Sequence, residues 1–378
     1  MRDIDTNQSR CIYPGPHTGV SPEHYLPEGF GKFRGVKDEG LEDFEVLTDR
    51  VCTACNNAIG RNTEDQFLRA GPNAFFRWIL GVKGKDGPPP SPFYRGASGA
   101  PPIYAYGRAH QSPFDLLWEI RPGTRECYPL RQVVVEHPIA GTHPIPILDS
   151  MKTDPKRVLE YLREKGLENA RPIHVFASPD EIPWVAKVVE VLGRTVANDW
   201  MTTTFEPGRI DITVELGVTS AFFRAVAKIG FHYALKVFPD LRGTEPEFDA
   251  IKEFIWSGGE FSHFIRQRQR PVFGNFLFGE MPVNWAHILL VDRNYDALTA
   301  YAQFFVGPQS MPVTYEIALG RNPARIAAPP ELKAHIFLYP DADAPAGSPG
   351  IISEPVGSTW PHSTIRVFQF TAPVMTAR

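Results

Sequence analysis

Hydrophobic and polar positions along the chain predict strands in its C-terminal third. Residues 210–216 (IDITVEL) alternate apolar and polar side chains, as a half-buried strand does. From residue 271 onward, short apolar runs are separated by turn residues, a pattern typical of β structure. These runs are NWAHILLVD, ALTAYAQFFVG, TYEIALG and KAHIFLYP. The Pro/Ala/Gly/Ser-rich stretch 341–362 is predicted to be a loop.

Four helices are predicted from apolar periodicity and from the residues at their ends. Pro155 lies just inside the start of the first, where its missing N–H removes no helical hydrogen bond. Gly193 follows the second and Gly258 the fourth, a common position for glycine. In the third, we interpret Lys228 and His232 as the polar stripe of a core helix. The helices cover residues 154–165, 179–192, 220–238 and 246–257.

The elements group into four stretches and predict an α+β multidomain protein. Residues 1–85 hold three of the four cysteines and end in a helical pattern, and residues 86–102 (DGPPPSPFYRGASGAPP) are typical of a linker. Residues 103–205 alternate strands and helices as an α/β middle domain. Residues 206–378 form a helix pair and a β-rich C-terminal domain. A length of 378 residues fits two or three domains.

Composition and charge narrow the class of protein. With 43% hydrophobic and 22% charged residues the chain is typical of folded globular proteins. No apolar run is long enough to cross a bilayer and the first residues are polar, so we expect neither a membrane span nor a signal peptide. The net charge of −4 provides no global basic field, so contact with nucleic acid would need a local basic patch.

Four cysteines in 378 residues exclude a disulfide scaffold and favour a reducing, cytoplasmic location. Cys52 and Cys55 have the spacing of half a zinc site. Upstream, Cys11 is followed three residues later by Pro14, which cannot ligate, so His17 is the candidate fourth ligand. The alternative is three thiols in a small packed core. Redox chemistry of the thioredoxin type is not favoured, because no βαβ pattern surrounds the pair.

Glu23 and His24 precede this pair, and Asn56 follows it directly. On a strand, neighbouring side chains point to opposite sides, so Glu23 could bind a metal ion while His24 faces a water molecule. Asn56 begins a helical stretch that reaches about residue 68, and its amide oxygen is a hard ligand that suits Mg²⁺. Such a set is what metal-assisted hydrolysis of a phosphodiester requires.

The motifs EHYLPEGFG and VCTACNNAIGRNTEDQFL, with Cys11 before them, resemble the HNH endonucleases and their ββα-metal fold. The resemblance covers about residues 10–85. It implies DNA as substrate, Mg²⁺ or Mn²⁺ as catalytic ion and structural Zn²⁺. It also implies that Glu23 and Asn56 bind the catalytic metal, that His24 is the general base, and that Cys52 and Cys55 bind zinc. The chain departs from the family pattern at Pro14 and in EVLTDRVC, which lacks the middle asparagine.

The segment after the motif is locally basic. Residues 61–95 contain six cations against Glu64, Asp65 and Asp86, a local charge of +3: Arg61, Arg69, Arg77, Lys83, Lys85 and Arg95. The first five are candidate nucleic-acid contacts. A solvated helix face followed by a linker is the alternative interpretation of this segment.

The sequence therefore predicts a metal-dependent HNH endonuclease. The alternative is a catalytically inactive zinc scaffold that binds nucleic acid or protein. The large C-terminal part is expected to recognise substrate, bind a partner or form a homo-oligomer. The second Glu-His pair, at His137, and the isolated Cys127 are interpreted as a strand end and a buried small hydrophobe.

Overall fold

The structure is a computed structural model with a mixed α/β architecture and several antiparallel sheets, compatible with the predicted α+β class. It describes residues 11–14, 19–35, 46–83, 87, 89–94, 102–109, 112–123, 126–194, 208–268, 285–307, 313–323, 331–339, 350–353 and 370–374.

The N-terminal part contains two short paired strands followed directly by a helix. Strand β1 pairs antiparallel with β3, and Cys52 at the end of β3 caps the next helix by accepting the N–H of Cys55. A π-helical turn, residues Gly60–Glu64, connects α1 to α2. The elements are β1 (Val20–His24), β2 (Phe33–Gly35), β3 (Val46–Cys52), α1 (Thr53–Ile59), α2 (Asp65–Arg69) and α3 (Gly71–Ile79).

The middle part has helices at both predicted places and one more before them, but five described strands precede the first helix, so strands and helices do not alternate regularly. Strand β7 lies between β8 and β9 in a three-stranded antiparallel sheet, and the three helices cover its apolar face. The elements are β4 (Tyr104–Gly107), β5 (Leu116–Ile120), β6 (Cys127–Pro129), β7 (Gln132–His137), β8 (Gly141–Pro146), α4 (Asp149–Thr153), α5 (Arg157–Glu164), β9 (Arg171–Phe176), α6 (Ile182–Val191) and β10 (Gly208–Glu215).

The C-terminal part has the predicted helix pair and the predicted strands. The bounds are α7 (Ser220–Val237), α8 (Asp249–Ser257), β11 (Ile265–Arg268), β12 (Ala286–Arg293), β13 (Ala297–Val306), β14 (Thr314–Arg321), β15 (Glu331–Leu338), β16 (Gly350–Ser353) and β17 (Phe370–Val374). Strand β16 lies within the stretch predicted as a loop, so that prediction was wrong there. Its partners, β15 on one side and β2 on the other, are supplied by the tertiary fold.

Two larger sheets organise the described chain. One is a closed barrel in the order β10-β17-β6-β5-β4, and the other has seven strands in the order β11-β14-β13-β12-β15-β16-β2. Phe93 and Tyr94, within the stretch predicted as a linker, are buried in the barrel core. The seven-stranded sheet includes β2 from the N-terminal part, so it joins the two ends of the chain.

Helix α7 lies at the centre of the largest core and packs closely on the seven-stranded sheet. A Cβ atom at Gly230 would lie 2.6 Å from Ile317 and 3.0 Å from Ala300, so only glycine allows this approach without a shift of the neighbours. The same core includes Tyr25 and Phe67. Strand β3 and helices α1 and α2 therefore share one core with α7, whereas the buried residues of α3 lie in the barrel core.

A buried hydrogen-bonded chain attaches the loop after β1 to the seven-stranded sheet. Phe305 donates its N–H to Nδ1 of His287 at 3.2 Å, so the ring proton lies on Nε2, which bonds to the hydroxyl of Tyr339 at 2.6 Å. Tyr339 in turn donates to the carbonyl of Phe30 at 2.7 Å. The rings of Phe30 and His287 stack with centroids 4.3 Å apart. These contacts fix the backbone six residues after His24.

Burial lowers the pKa of His287 and of His232 well below the ordinary value of 6.5. An unfolded chain therefore binds more protons than the folded protein as the pH falls below about 6.5. The free energy of unfolding is therefore unaffected by these two histidines above that pH. Below it, protonation of the unfolded chain lowers the free energy of unfolding by up to about 1.4 kcal/mol per pH unit for each histidine.

We predict that the free energy of unfolding falls less steeply for His287→Gln than for the wild type as the pH decreases from about 7.5 to 5.5, because glutamine binds no proton in the unfolded chain. Urea denaturation at several pH values measures this slope. His143→Gln is the control, because His143 is only half-buried, near the start of β8, and its ring bonds to the nearby Ala140 carbonyl. Equal slopes for all three proteins would contradict a neutral buried His287.

Candidate functional site

Three buried cysteines meet beside the first turn of α1. The Sγ atoms of Cys11, Cys52 and Cys55 all lie within 4.8 Å of one another. The backbone N–H of Cys52 points to Sγ of Cys11 at 3.3 Å, and that of Cys55 to Sγ of Cys52 at 3.4 Å. Such N–H donors stabilise negative charge on sulfur. This cluster can hold a metal ion such as zinc.

Three free thiolates are unfavourable in this cluster, which can instead hold a metal ion or three protonated thiols. Burial, together with the neighbouring Cys52 and Cys11, raises the pKa of the Cys55 thiol. A bound cation replaces the thiol proton and compensates the negative charge of the buried sulfur. Pro14 is exposed and carries no ligand atom. The predicted fourth ligand, His17, lies outside the described residues.

Glu23, His24 and Asn56 line one cavity of about 380 Å³. Strand β1 turns Glu23 inward, where it is 2% exposed, and leaves His24 half-buried. Helix α1 places Asn56 against β1, and its Nδ2 points to the Ser21 hydroxyl at 3.4 Å and to the Pro22 carbonyl at 3.5 Å. The amide oxygen is therefore the polar atom of Asn56 that remains for a ligand.

Lys228 of α7 extends its ammonium group to this site. The side chain is buried, forms ion pairs with Glu23 and Glu64, and donates to the His24 carbonyl at 3.2 Å. One turn further along the helix, Nδ1 of His232 lies 3.9 Å from Glu23 Oε1, and Nε2 bonds to the hydroxyl of Tyr13 at 2.7 Å. We refer to Glu23, Glu64 and Lys228 as the ion triad.

The sequence pattern did not predict the ion triad. The interpretation of Lys228 and His232 as a polar stripe identified their helix but not their partners. Both residues belong to a row at a spacing of four that also includes Arg224 and Lys236. This row in a largely apolar helix is the one local signal that they share a buried polar contact.

The charges of the ion triad depend on one another. Burial raises the pKa of Glu23 to about 6, and Lys228 acts against this rise, so the carboxyl group is ionised at neutral pH. Burial disfavours the ammonium of Lys228, but the two carboxylates outweigh it and raise its pKa above the ordinary value. The carboxylate of Glu23 and the ammonium of Lys228 are therefore both charged at neutral pH.

The predicted nucleic-acid contacts divide between the cavity and the surface. Arg69 and Arg77 line the cavity, and Arg69 lies 3.6 Å from Asp65. Arg61 is exposed and donates to the Asn57 carbonyl at 3.2 Å. Lys83 is exposed after α3, and Lys85 lies outside the described residues.

The comparisons with known proteins give no assignment: no family model, no curated protein and no solved structure matches the chain. Among the described residues, no helix is long and apolar enough to cross a membrane. Functional inference therefore depends on the two clusters and the cavity.

We predict that Lys228→Met lowers the free energy of unfolding by about 3–5 kcal/mol, because it leaves two carboxylates near each other without their buried cation. Chemical denaturation measures the change. Lys187→Met, on the exposed face of α6, should change the stability by less than about 0.5 kcal/mol. Similar effects of the two substitutions would show that the triad does not stabilise the fold.

We also predict that the purified protein contains about one zinc ion per chain and that Cys55→Ala loses it, with a lower thermal midpoint. Elemental analysis of the metal content tests this. Cys127→Ala is the matched control, because Cys127 is buried in the barrel away from the thiol cluster. Equal zinc content in both variants would exclude Cys55 as a ligand.

Proposed function

We propose that the protein is a metal-dependent endonuclease of the HNH type that hydrolyses phosphodiester bonds of DNA. The observation that carries the proposal is the meeting of Glu23, His24 and Asn56 at one cavity. They come from a strand pair and the helix that follows it directly, beside a cluster of three thiols. A strand pair followed by a helix, with the Glu-His pair on the first strand and the asparagine on the helix, is the arrangement that the resemblance to the ββα-metal fold implies.

The residues at the cavity suit a hard divalent cation. The carboxylate of Glu23 and the amide oxygen of Asn56 are the type of donors that Mg²⁺ and Mn²⁺ prefer. Such an ion, when bound, polarises the phosphate and stabilises the leaving oxygen. In this proposal, Glu23 and Asn56 position the ion and Lys228 orients the carboxylate of Glu23.

His24 is proposed as the general base. Its half-buried imidazole faces the cavity, and a neutral ring nitrogen can accept the proton of the attacking water. Glu28 Oε1 lies 3.9 Å from Nε2 and can form an ion pair with the ring once the proton has been transferred. The Lys228 contact to the His24 carbonyl holds the backbone of this residue in place.

The thiol cluster has a structural role in this proposal. Zinc held by Cys11, Cys52 and Cys55, with His17 as the fourth ligand, would fasten the N-terminal segment to the start of α1. Asn56 follows Cys55 directly, so zinc would also fix the position of the amide at the cavity.

A second function is favoured by one observation. Lys228 already provides a positive charge to Glu23 and Glu64, so the site is partly neutralised without a divalent ion. A protein that binds nucleic acid or another protein through a zinc-stabilised but inactive scaffold would have the same geometry. Cleavage with and without divalent metal separates the two functions.

We predict that the protein nicks supercoiled plasmid DNA with Mg²⁺ or Mn²⁺, that EDTA stops the reaction, and that His24→Ala reduces the rate by at least about 100-fold, because the attacking water loses its base. Gel electrophoresis of the plasmid over time measures the rate.

The matched control is His137→Ala, since His137 also follows a glutamate at the end of a strand but does not line the cavity. This variant should cleave at the wild-type rate. Circular dichroism should show that both variants are folded. A wild-type rate in His24→Ala would exclude the proposed base, and no cleavage by the wild type with either metal would favour the inactive scaffold.

A further inference from the structure

Arg77 is a buried cation on the wall of the cavity. It lies in the last turn of α3, and 5% of the residue is exposed. Its Nη1 donates to the carbonyl of Leu68 at 2.9 Å. Nε is buried and has no hydrogen-bond partner in the part of the chain that the structure describes. A guanidinium group has five N–H donors, and the Leu68 carbonyl is the one acceptor found for them among the described residues.

The other charges around the cavity are paired with one another. Lys228 contacts Glu23 and Glu64, Arg69 lies beside Asp65, and Glu28 lies beside His24. No ion pair joins Arg77 to any carboxylate of the described residues. Arg77 is therefore the cavity-lining cation for which the described chain supplies no anion.

A buried guanidinium without an anion is unfavourable for the isolated protein. Burial lowers the pKa of Arg77, and the nearby charge of Arg69 acts in the same direction, while Tyr339 acts against them. An anion bound in the cavity would neutralise this charge and accept hydrogen bonds from the part of the guanidinium that lines the cavity. The arrangement is thus suited to a ligand and costs stability in its absence.

We propose that Arg77 binds a phosphate group of a nucleic-acid strand at this cavity, a role that rests on the proposed endonuclease function. Its planar fork of donors matches two oxygens of one phosphate, which the point charge of a lysine cannot do. Because Glu23, His24 and Asn56 line the same cavity, a phosphate on Arg77 is held beside them. Arg77 is a substrate-binding residue in this proposal, and Arg69 adds positive charge at the cavity mouth.

The test uses the full chain without added Mg²⁺ or Mn²⁺, so that binding is measured without cleavage and the structural zinc is kept. Inorganic phosphate is titrated against the thermal midpoint, with chloride at matched ionic strength as the comparison. Binding of a fluorescent DNA oligonucleotide is measured by anisotropy. We expect phosphate to raise the midpoint of the wild type and to compete with the oligonucleotide, which places both ligands at one site.

Arg77→Met should abolish the stabilisation by phosphate and weaken oligonucleotide binding about tenfold or more, the usual effect of losing a charge-assisted bidentate contact. Without phosphate its thermal midpoint should be equal to or higher than that of the wild type, because an unpaired buried charge is removed. Arg163→Met, on the exposed face of α5, should behave as the wild type in every assay. Arg77→Lys should retain part of the phosphate effect.

Three results would overturn the proposal: a wild type that phosphate does not stabilise, an Arg77→Met variant that binds phosphate as tightly as the wild type, or a stability loss in that variant with unchanged binding. If Arg77→Met does not fold, the wild-type titration and Arg77→Lys decide. The plasmid assay tests the endonuclease function separately. Phosphate binding without cleavage would reject the endonuclease but support the anion site. Cleavage without phosphate binding would support the endonuclease but reject the anion site.

Discussion

The contact between the Lys228 ammonium and the carboxylates of Glu23 and Glu64 is the interaction on which the candidate site depends. Lys228 lies 164 residues after Glu64 and 204 residues after His24, whose carbonyl it also contacts. The contact therefore fixes β1, the π-helical turn Gly60–Glu64 and α7 relative to one another. A buried charge without a partner is strongly unfavourable, so the three groups require each other. A shift of β1 by one residue would turn Glu23 outward and break the triad, and the triad therefore also specifies which side of the strand His24 occupies.

The short strand pair at the N-terminus is held from several directions. The thiol cluster lies where β3 ends and α1 begins, and the His287–Tyr339 hydrogen bonds hold Phe30 on the opposite side of the Glu-His segment. Two strands and a helix of seven residues bury too little apolar surface to be stable alone. The core shared with α7 and the seven-stranded sheet supplies the missing stability, so the large C-terminal part acts at least as the scaffold of the cavity.

Charge pairing, more than charge count, determines what the cavity can bind. Its lining contains four carboxylates and two guanidinium groups, which by number alone favours cations. The ion pairs oppose this preference for cations. Each carboxylate has a nearby cation or histidine, whereas Arg77 has no carboxylate partner among the described residues. A cavity with oxygen donors for a divalent ion and one unpaired guanidinium is suited to a ligand that combines a metal ion with a phosphate.

Local patterns in the sequence predicted most of the elements and the relative placement of site residues that are close in the chain. Alternation placed Glu23 and His24 on opposite sides of a strand, and the spacing of Cys52, Cys55 and Asn56 placed two thiols and an amide on one helical turn, because these relations depend on neighbours in the chain. Only the tertiary structure decided that Lys228 meets Glu23 and Glu64, that Arg77 is buried without a carboxylate, and that residues 350–353 form a strand beside β2. Periodicity shows that a helix or strand has a buried face, but it does not show which distant side chain covers that face. Partners more than 150 residues apart are chosen by packing, and packing is a property of the whole fold.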